Sequence, residues 1–516
     1  MSINPRDSYD YVVIGAGAAG CIIAARLART GAEVLLLEAG GTDELPQVSN
    51  PSVWFTNIGS WLDWNFKAEP SPAVDGRAIP VAMGRVLGGG TSVNAMVWVH
   101  GLSQDFDDWA RDGCQGWSFQ EVLPHFKELE DWEGGANEWR GTGGPVPICT
   151  SSDPHPTAQA FLGACREMSI PILADMNGPM REGAGLLNLN IARDGSRASA
   201  SRAFLRPNLS RPNLTLALET RAAQLLFSHT RAGGVRIQDR NGLRDISASR
   251  EVILTAGGIE SARLLMLSGV GDSAKLRKLG ITPVQHLPGV GQNYQDHPLL
   301  FGLVFQYKGA MPPRSPRSNA VEVAAFIRSD SAKEAPDIGM VLGQLPILTP
   351  ELAARFPKPP PDSFTISPAL VRPSSRGILR LASANWQDRG ILDGGYFTTD
   401  ADLAATVRCI ELCRELGHQR SYDGIRAAEL VPGKKLTLTE AREFARRAAT
   451  SFGHPVGTCK MGTDALAVVD PQLRVHGVQG LRVCDSSIMP RITSGPTNAP
   501  THMIASKAAR MLLGEA

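Results

Sequence analysis

The first forty residues constrain the fold of this chain more than any other segment. An apolar run at Tyr11–Ile14 leads into the glycine pattern of residues 15–20, then into small residues at Ala18–Thr30 and a second apolar run, Val34–Leu37, that ends at Glu38. Continuous apolar runs of this length are typical of strands that are buried on both faces of a parallel sheet. The order of these segments predicts a strand–helix–strand unit of a Rossmann-like α/β sheet.

Each glycine of Gly15-x-Gly17-x-x-Gly20 has a physical role in such a unit. Gly15 permits the tight turn, Gly17 lets the backbone approach a pyrophosphate, and Gly20 lets the helix pack closely on the strand. Glu38, 18 residues after Gly20, lies where a carboxylate accepts hydrogen bonds from ribose hydroxyls. An isolated pattern of this kind also occurs in plain glycine-rich turns, but here both strands, the helix and the acid are in place. We therefore expect an adenine dinucleotide to contact Gly15, Gly17, Ala18, Ala19, Gly20, Glu38 and Ala39.

Length and composition narrow the class of protein. A chain of 516 residues exceeds a single core, which predicts two domains. The formal net charge is +1 without a basic block, which argues against a nucleic-acid partner. No apolar run is long enough to span a membrane, and the first strand begins too close to Met1 to leave room for a signal peptide. We expect a cytoplasmic protein whose eight cysteines are reduced, with Cys409 and Cys413 as neighbours on a packed helix face.

A second glycine cluster lies at residues 83–101. Three consecutive glycines precede Thr91, Ser92 and Asn94, so the backbone can lie flat against a planar or phosphorylated ligand. A nicotinamide cofactor leaves after each turnover and does not need a second cradle, whereas a tightly held flavin does. The alternative is a glycine-rich loop that simply joins two strands.

Five blocks of the sequence together resemble the glucose–methanol–choline (GMC) family of flavoprotein oxidoreductases. They are the N-terminal unit up to Gly40, residues 84–101, Ala256–Gly271, Gly289–His297 and the C-terminal stretch from Ser451 onward. The third block matches imperfectly, because Gly258 and Ala262 stand where other small residues are usual. The blocks occur in the family's order across nearly the whole chain. The resemblance implies FAD as the cofactor and an alcohol as the substrate.

The resemblance also implies a discontinuous architecture. A Rossmann-like FAD-binding domain would comprise residues 1–150, 210–300 and 450–516, and an α+β substrate domain built on an antiparallel sheet would comprise 151–209 and 301–449. Patterning agrees, since Ile378–Leu381 predicts a strand of the substrate domain and Asp400–Gly417 an amphipathic helix. A final helix is predicted to start near Asn498, with Thr497 or Asn498 as its cap, and to run towards Leu513. The proline-rich stretch Pro346–Ser363 is either a loop over the site entrance or a plain surface loop.

His454 is the predicted catalytic base. Oxidising an alcohol with a flavin requires removal of the hydroxyl proton while a hydride leaves the carbon, and a histidine with a pKa near the working pH suits this step. The setting SFGHPVGTCKMG resembles the family segment that contains the catalytic histidine. The other nine histidines, including His297 and His502, we expect to be structural or near the cofactor. His454 and Cys459 lack further ligands in the sequence, so we expect no metal.

The chain departs from the family pattern at Pro496, where most members have a second histidine or an asparagine facing the catalytic one. Proline offers no side-chain hydrogen bond, so we expect His454 to work without a polar partner. A proline here is similar to a bacterial subgroup, the pyridoxine 4-oxidases, as are the segments SRGILRL and DSSIMPRITSGP. This likeness favours a primary alcohol on a small aromatic ring, although the proline could also have arisen independently.

The resemblance assigns the remaining cofactor contacts. Some members attach FAD covalently through a histidine at the position of Val93, which cannot form that bond, so FAD should be held non-covalently. The last helix would direct its N-terminus at the reduced flavin. Asp485 would reach the ribityl–phosphate region and Ala222 the adenine. Near the flavin and its phosphates we expect Arg85, Gly89, Gly90, Thr91, Asn94, Ala95, Met96, Val97, Asn498, Ala499, Pro500 and Thr501.

Several functions stay open on the sequence alone. The favoured one is FAD-dependent oxidation of a pyridoxine-like or benzylic alcohol to an aldehyde. The alternatives on the same fold are a dehydrogenase of sugars or aliphatic alcohols with a non-oxygen acceptor, and an enzyme of the hydroxynitrile-lyase type. An NAD-dependent dehydrogenase or a binding protein would use only the N-terminal unit, which the later blocks disfavour. Whether oxygen or a quinone-like compound accepts the electrons stays open.

Overall fold

The computed structural model describes residues 5–180, 182–315 and 317–515. Its helices include the two that the sequence delimits most sharply, the amphipathic helix at 400–417 and the final helix at 498–513. In chain order the helices are α1 Ala18–Arg29, α2 Pro46–Ser49, α3 Ser103–Arg111, α4 Phe119–Leu129, α5 Pro156–Glu167, α6 Gly257–Leu267, α7 Ser273–Lys278, α8 Pro350–Ala353, α9 Asp400–Gly417, α10 Leu438–Ala448 and α11 Asn498–Leu513.

The strands are mostly short. They are β1 Ser8–Ile14, β2 Val34–Leu37, β3 Phe66–Lys67, β4 Pro80–Val81, β5 Glu130–Trp132, β6 Val146–Ile148, β7 Gly183–Leu186, β8 Leu214–Ala217, β9 Arg221–Ser228, β10 Arg231–Asp239, β11 Gly242–Leu254, β12 Val270–Gly271, β13 Gln285–His286, β14 Pro298–Leu300, β15 Val304–Tyr307, β16 Val323–Ile327, β17 Ile338–Gly343, β18 Ser363–Leu370, β19 Ile378–Arg380, β20 Ile391–Asp393, β21 Arg426–Val431, β22 Ala449–Ser451 and β23 Leu481–Val483.

The first large sheet contains the predicted N-terminal unit. Its order is β8-β2-β1-β11-β10-β9, and β23 pairs with β11. The pairs among β8, β2, β1, β11 and β23 are parallel, whereas β9, β10 and β11 form an antiparallel meander. Helix α1 packs against β2 and α11, with nine of its twelve residues buried. The sheet is Rossmann-like, as the sequence predicts, and residues from both ends of the chain build it.

The second large sheet is entirely antiparallel. Its order is β21-β15-β18-β17-β16-β7, and β14 pairs with both β18 and β22. Helix α9 covers this sheet, because it packs on β17 and β18. Strand β14 joins this sheet although the sequence assigns 210–300 to the cofactor domain, and β22 crosses the expected boundary at 450. The division into domains itself stays a prediction.

The strand predicted at Ile378–Leu381 is placed differently. β19 pairs only with β20 in a separate two-stranded sheet, so it does not extend the large antiparallel sheet.

All eight cysteines are free and buried, and Cys409 and Cys413 lie one turn apart on the buried side of α9. Within the described ranges, no helix combines the length and the apolar character needed to cross a membrane.

Candidate active site

A cavity of about 720 Å³ extends between the two large sheets. Its walls include the glycine turn after β1 at one end and residues of β16 and β17 at the other. Small-molecule sites span roughly 300–1,000 Å³, so this cavity is large enough for an extended cofactor and a small substrate together.

Two glycine-rich loops face each other across the cofactor end of the cavity. A Cβ atom on Gly89, which has a φ of +54°, would lie 2.8 Å from the Cα of Gly17. A Cβ on Gly20 would lie 1.9 Å from the carbonyl oxygen of Gly15, so this glycine serves the packing of α1 and does not line the cavity. Both loops approach as closely as they do because they lack side chains.

The N-termini of two helices open into the same cavity. Gly17 caps α1 and Thr497 caps α11, and neither helix has a side-chain cap or an acidic residue in its first turn. Gly17, Ala18 and Ala19 line one part of the cavity and Thr497 another. Free backbone N–H groups and the positive end of the helix dipole favour a bound anion at both ends.

Glu38 lies buried at the end of β2 and lines the cavity. Its Oε2 accepts a hydrogen bond from the backbone N–H of Ala16 at 3.0 Å, and its Oε1 accepts one from Gly40 at 2.8 Å. Burial raises the pKa of this carboxyl group to about 7, although the two N–H donors and the charge of Arg85 oppose the rise. Each oxygen keeps a lone pair for a further donor, such as a ribose hydroxyl.

Asp485, just after β23, connects that segment with the start of α6 at the wall of the cavity. Its Oδ2 accepts hydrogen bonds from the backbone N–H of Gly257 at 2.8 Å and from Ser261 at 2.6 Å, and its Oδ1 accepts one from the N–H of Ser487. Burial raises the pKa of this carboxyl group. Asp485 therefore fixes the start of α6 at the wall of the cavity.

Arg197 holds the loop that carries Asn94. The guanidinium group is buried and donates to the carbonyl oxygens of Val48, Thr91 and Asn94, and to Oδ1 of Asn94 at 2.9 Å. Burial lowers the pKa of Arg197 to about 9. The N–H of Met96 also donates to Oδ1 of Asn94. Because Oδ1 is held by two donors, the Asn94 amide nitrogen is the atom left to face the cavity.

Most residues predicted from the sequence to bind the cofactor line this one cavity. They are Gly15, Gly17, Ala18, Ala19, Glu38, Ala39, Gly89, Gly90, Thr91, Asn94, Ala95, Val97, Ala222, Asp485, Asn498 and Thr501, together with Val93. Besides Gly20, four do not line it. The side chains of Met96, Ala499 and Pro500 are buried in packing, and Arg85 is exposed with its guanidinium 5.3 Å from the centre of the Trp64 ring. Their cofactor roles stay predictions.

His454 lines the same cavity as Glu38. Its ring stacks on Phe452 with the centroids 4.6 Å apart, and its backbone N–H donates to Oδ1 of Asp296 at 2.9 Å. The carboxylate of Asp296 also accepts hydrogen bonds from Tyr396 and Ser451. Burial, and to a smaller extent the neighbouring His297, lowers the pKa of His454 well below 6.5, which favours the neutral imidazole.

His297 is the partner of His454 that the sequence analysis missed. The Nδ1 atoms of the two rings are 2.9 Å apart, and the rings are perpendicular. His297 is fully buried, and burial lowers its pKa to about 3. The sequence feature that contains His297 is the block Gly289–His297, whose resemblance to the family indicates a position near the cofactor but no specific role for the histidine. The Pro496 side chain lines the cavity without a hydrogen-bond donor or acceptor. The hydrogen-bonding partner of His454 is instead His297, the residue just before β14.

The cavity that His454 lines also contains many apolar and aromatic side chains. Trp54, Phe301, Phe326 and Phe452 line it, with Leu299, Val341, Leu345 and Ile347. Ile347 and Pro346 belong to the proline-rich stretch, so part of that loop does border the cavity. Among described residues, no group of three or more His, Cys, Asp or Glu side chains is arranged to hold a metal ion.

Comparison with known proteins defines the class. The model of the N-terminal region of GMC oxidoreductases matches residues 9–299, and that of the C-terminal region matches residues 373–505. The chain belongs to the GMC oxidoreductase family, as its sequence motifs indicate. It is therefore an FAD-dependent oxidoreductase that acts on CH–OH donors.

Individual relatives differ in the alcohol that their names specify. The mitochondrial choline dehydrogenase of Homo sapiens is 39% identical, over 99% of this chain and 90% of the relative. The oxygen-dependent choline dehydrogenase of Brucella ovis is 38% identical, over 98% of this chain and 95% of the relative. Among solved structures, pyridoxine 4-oxidase from Mesorbium loti superposes with a TM-score of 0.94 at 34% identity, covering 98% of this chain and all of that one.

The residues of the cavity fit FAD. The two uncapped helix N-termini can take the pyrophosphate and the electron-rich edge of the flavin. Glu38 keeps lone pairs for ribose hydroxyls, and the facing glycine loops leave room for a backbone-to-ligand approach. Val93 lines the cavity with a hydrocarbon side chain, which has no nucleophilic atom for a covalent link.

Proposed function

We propose that this enzyme oxidises a small, uncharged aromatic primary alcohol to an aldehyde, with His454 as the base. The observation that supports this most directly is the composition of the cavity around His454, where aromatic and aliphatic side chains predominate. Non-covalent FAD is the proposed form of the cofactor. Oxygen or a quinone-like compound is the proposed acceptor, and the cytoplasm stays the expected location.

The protein's share of the chemistry is proton removal and positioning. When bound, FAD accepts the two electrons and the hydrogen that leave the alcohol carbon. Neutral His454 accepts the hydroxyl proton, so the C–O bond becomes a carbonyl and one alcohol yields one aldehyde. The stacked ring of Phe452 and the hydrogen bond from the His454 backbone to Asp296 restrict where the imidazole lies.

The charge of the cavity favours an uncharged substrate over a cation. Three acidic side chains line the cavity within the described part of the chain, namely Glu38, Glu260 and Asp485. Glu38 and Asp485 are bonded to the loops described above, and Glu260 lies within 3.7 Å of Arg221 and 3.5 Å of Arg263. A cationic alcohol would therefore lose its hydration without gaining an uncommitted carboxylate.

Choline is the second candidate substrate, because the choline dehydrogenases are 38–39% identical to this chain. The aromatic residues Trp54, Phe301, Phe326 and Phe452 could attract a quaternary ammonium group through cation–π contacts. Such contacts are worth about 0.5–2 kcal/mol each. An aromatic alcohol would pack its ring against these aromatic side chains, whereas choline would place its cation over their faces. Kinetic comparison of the two substrates separates the candidates.

The substrate experiment compares kcat/KM for pyridoxine, benzyl alcohol, choline, glucose and a long-chain alcohol, each with oxygen and with an artificial acceptor. We expect the two aromatic alcohols to lead, because their ring stabilises the positive charge that develops at the carbon that loses hydride. Benzyl trimethylammonium, which is aromatic and cationic but has no hydroxyl, serves as a competitor that reports any cation site. A clear preference for choline would replace the aromatic-alcohol proposal.

The base experiment uses His454→Ala. We expect this variant to bind FAD yet to reduce the flavin at least ~10²-fold more slowly in stopped flow, the usual contribution of a general base. His155 offers a matched control, since it is buried but does not line the cavity. Flavin reduction near the wild-type rate in His454→Ala would remove His454 from the mechanism.

A further inference from the structure

The contact between His297 and His454 has a chemical consequence that depends on which nitrogen holds a proton. Two neutral imidazoles each carry one N–H, and a hydrogen bond between their Nδ1 atoms needs one donor and one acceptor. If His454 donates, its proton is on Nδ1 and Nε2 has a free lone pair. If His297 donates, the proton of His454 is on Nε2, which then cannot act as a base.

The surroundings of His297 favour the first arrangement. The other ring nitrogen of His297, Nε2, is buried and has no well-formed hydrogen bond. Backbone groups of Val371 and Thr493 interact with the ring and raise its pKa, which is the effect of carbonyl acceptors. Because Nδ1 faces His454, we infer that these carbonyls act at Nε2. A carbonyl oxygen accepts hydrogen bonds and cannot donate them, so it favours a proton on Nε2 of His297. The Nδ1 atom of His297 is then an acceptor, and Nδ1 of His454 must be the donor.

The surroundings of His454 leave its other nitrogen available. No described residue forms a hydrogen bond with Nε2 of His454, and the residue lines the cavity. Its ring face is held by Phe452, and its backbone by Asp296. After proton uptake, the imidazolium still donates from Nδ1 to His297, so the hydrogen bond persists through the step.

We propose that His297 is a positioning residue that sets the tautomer of His454, so that Nε2 of His454 faces the substrate hydroxyl with a free lone pair. This inference rests on the proposed role of His454 as the base. It also explains how the site tolerates Pro496, because orientation of the base comes from His297, just before β14. His297 touches neither substrate nor flavin in this arrangement and acts through His454.

The test compares two substitutions of His297 that differ in one property. In His297→Asn, the side-chain oxygen can take the place of Nδ1 as an acceptor. In His297→Ala, no acceptor remains. We expect His297→Ala to reduce the flavin about 10-fold or more slowly at saturating substrate with little change in KM, and His297→Asn to recover most of that loss. Equal losses in both variants would overturn the proposal.

A double variant separates positioning from general damage. If His297 acts only through His454, the variant His297→Ala/His454→Ala should be no slower than His454→Ala alone. A further loss in the double variant would contradict the proposal. The ¹⁵N chemical shifts of selectively labelled histidine give a readout independent of turnover, because Nδ1 and Nε2 of His454 should report protonated and unprotonated nitrogen respectively. The reverse assignment would also refute the inference.

The outcomes distinguish this inference from the proposed function. A normal rate in His454→Ala would remove both. A slow His454→Ala with a normal His297→Ala would remove only the role of His297. Flavin absorbance per protein and the thermal midpoint of each variant, with His155→Ala as the control for loss of a buried histidine, show whether the fold and cofactor are retained.

Discussion

Replacing Glu38 with glutamine is the sharpest test of the cofactor site, because it removes a charge while preserving shape. The Glu38 carboxylate accepts one backbone N–H at each oxygen, from Ala16 and Gly40, and its remaining lone pairs face the cavity. A glutamine has only one acceptor oxygen, so its NH₂ group must face one of these two donors. The substitution therefore affects both the loop and the ligand.

The expected loss of FAD affinity follows from the hydrogen bonds that a ribose would make. A hydrogen bond to a charged group contributes roughly 1.5–3 kcal/mol. We expect Glu38→Gln to raise the Kd of the cofactor-free protein for FAD by roughly 10- to 150-fold, since 1.36 kcal/mol is one decade. The lost acceptor should also lower the thermal midpoint of the cofactor-free protein, because one buried N–H is left without a partner.

The pKa of Glu38 adds a signature in pH. Burial raises this pKa to about 7 in the free protein, so part of the population is protonated at neutral pH. Ribose hydroxyls donate to the ionised form, and binding therefore releases a proton. We expect FAD affinity to rise from pH 6 to pH 8 in the wild type and to stay flat in Glu38→Gln.

The assay is titration of the cofactor-free protein with FAD, followed by quenching of flavin fluorescence. Glu33→Gln is the matched control, since Glu33 directly precedes the same strand but is half-buried and does not line the cavity. A Kd within twofold of the wild type for Glu38→Gln, or an unchanged pH dependence, would show that the ribose does not bind at Glu38.

Three further outcomes are expected. Acid precipitation should release intact FAD into the supernatant, because Val93 has no atom that can form a covalent link, and flavin left in the pellet would contradict this. The rate of flavin reduction should be flat from about pH 6.5 upward and fall only in more acidic buffer. The reason is that burial lowers the pKa of His454 well below 6.5 and only the neutral imidazole accepts a proton. Stopped-flow measurements across pH check this, and an inflection of the rate between about pH 7 and 8 would contradict it. Arg197→Met should lower the thermal midpoint and weaken FAD binding, because the carbonyls of Val48 and Thr91 and the side chain of Asn94 lose a shared donor, whereas an unchanged midpoint in calorimetry would exclude that role.

The sequence predicts the Rossmann-like unit well because its signals are local. The glycines, the two apolar strands and Glu38 lie within forty residues, and each has one structural interpretation. The final helix is also predicted from local signals, near Asn498 and towards Leu513, and the structure places it at Asn498–Leu513. Strand Ile378–Arg380 shows the limit, because period-2 patterning identifies a strand but contains no information about which strand it pairs with.

The contact between His297 and His454 shows a second limit. His297 and His454 are 157 positions apart, and neither has local patterning that indicates the other. Their contact depends on β14 and β22 pairing in the antiparallel sheet, which a single sequence does not specify. The apolar lining of the cavity could not be predicted from the sequence for the same reason, since Trp54, Phe301 and Phe326 come from three separate segments.

The placement of β23 and α11 determines when the protein can acquire its flavin during synthesis. The turn after β1 forms one wall of the cofactor site, but Asp485, Thr497 and Asn498 form another. Synthesis proceeds at about 5–20 residues per second, and N-terminal segments are able to fold before later ones emerge. The glycine turn therefore leaves the ribosome long before the opposite wall exists. Capture of flavin by both walls must follow the emergence of α11, and FAD bound from then on would stabilise the folded chain by mass action.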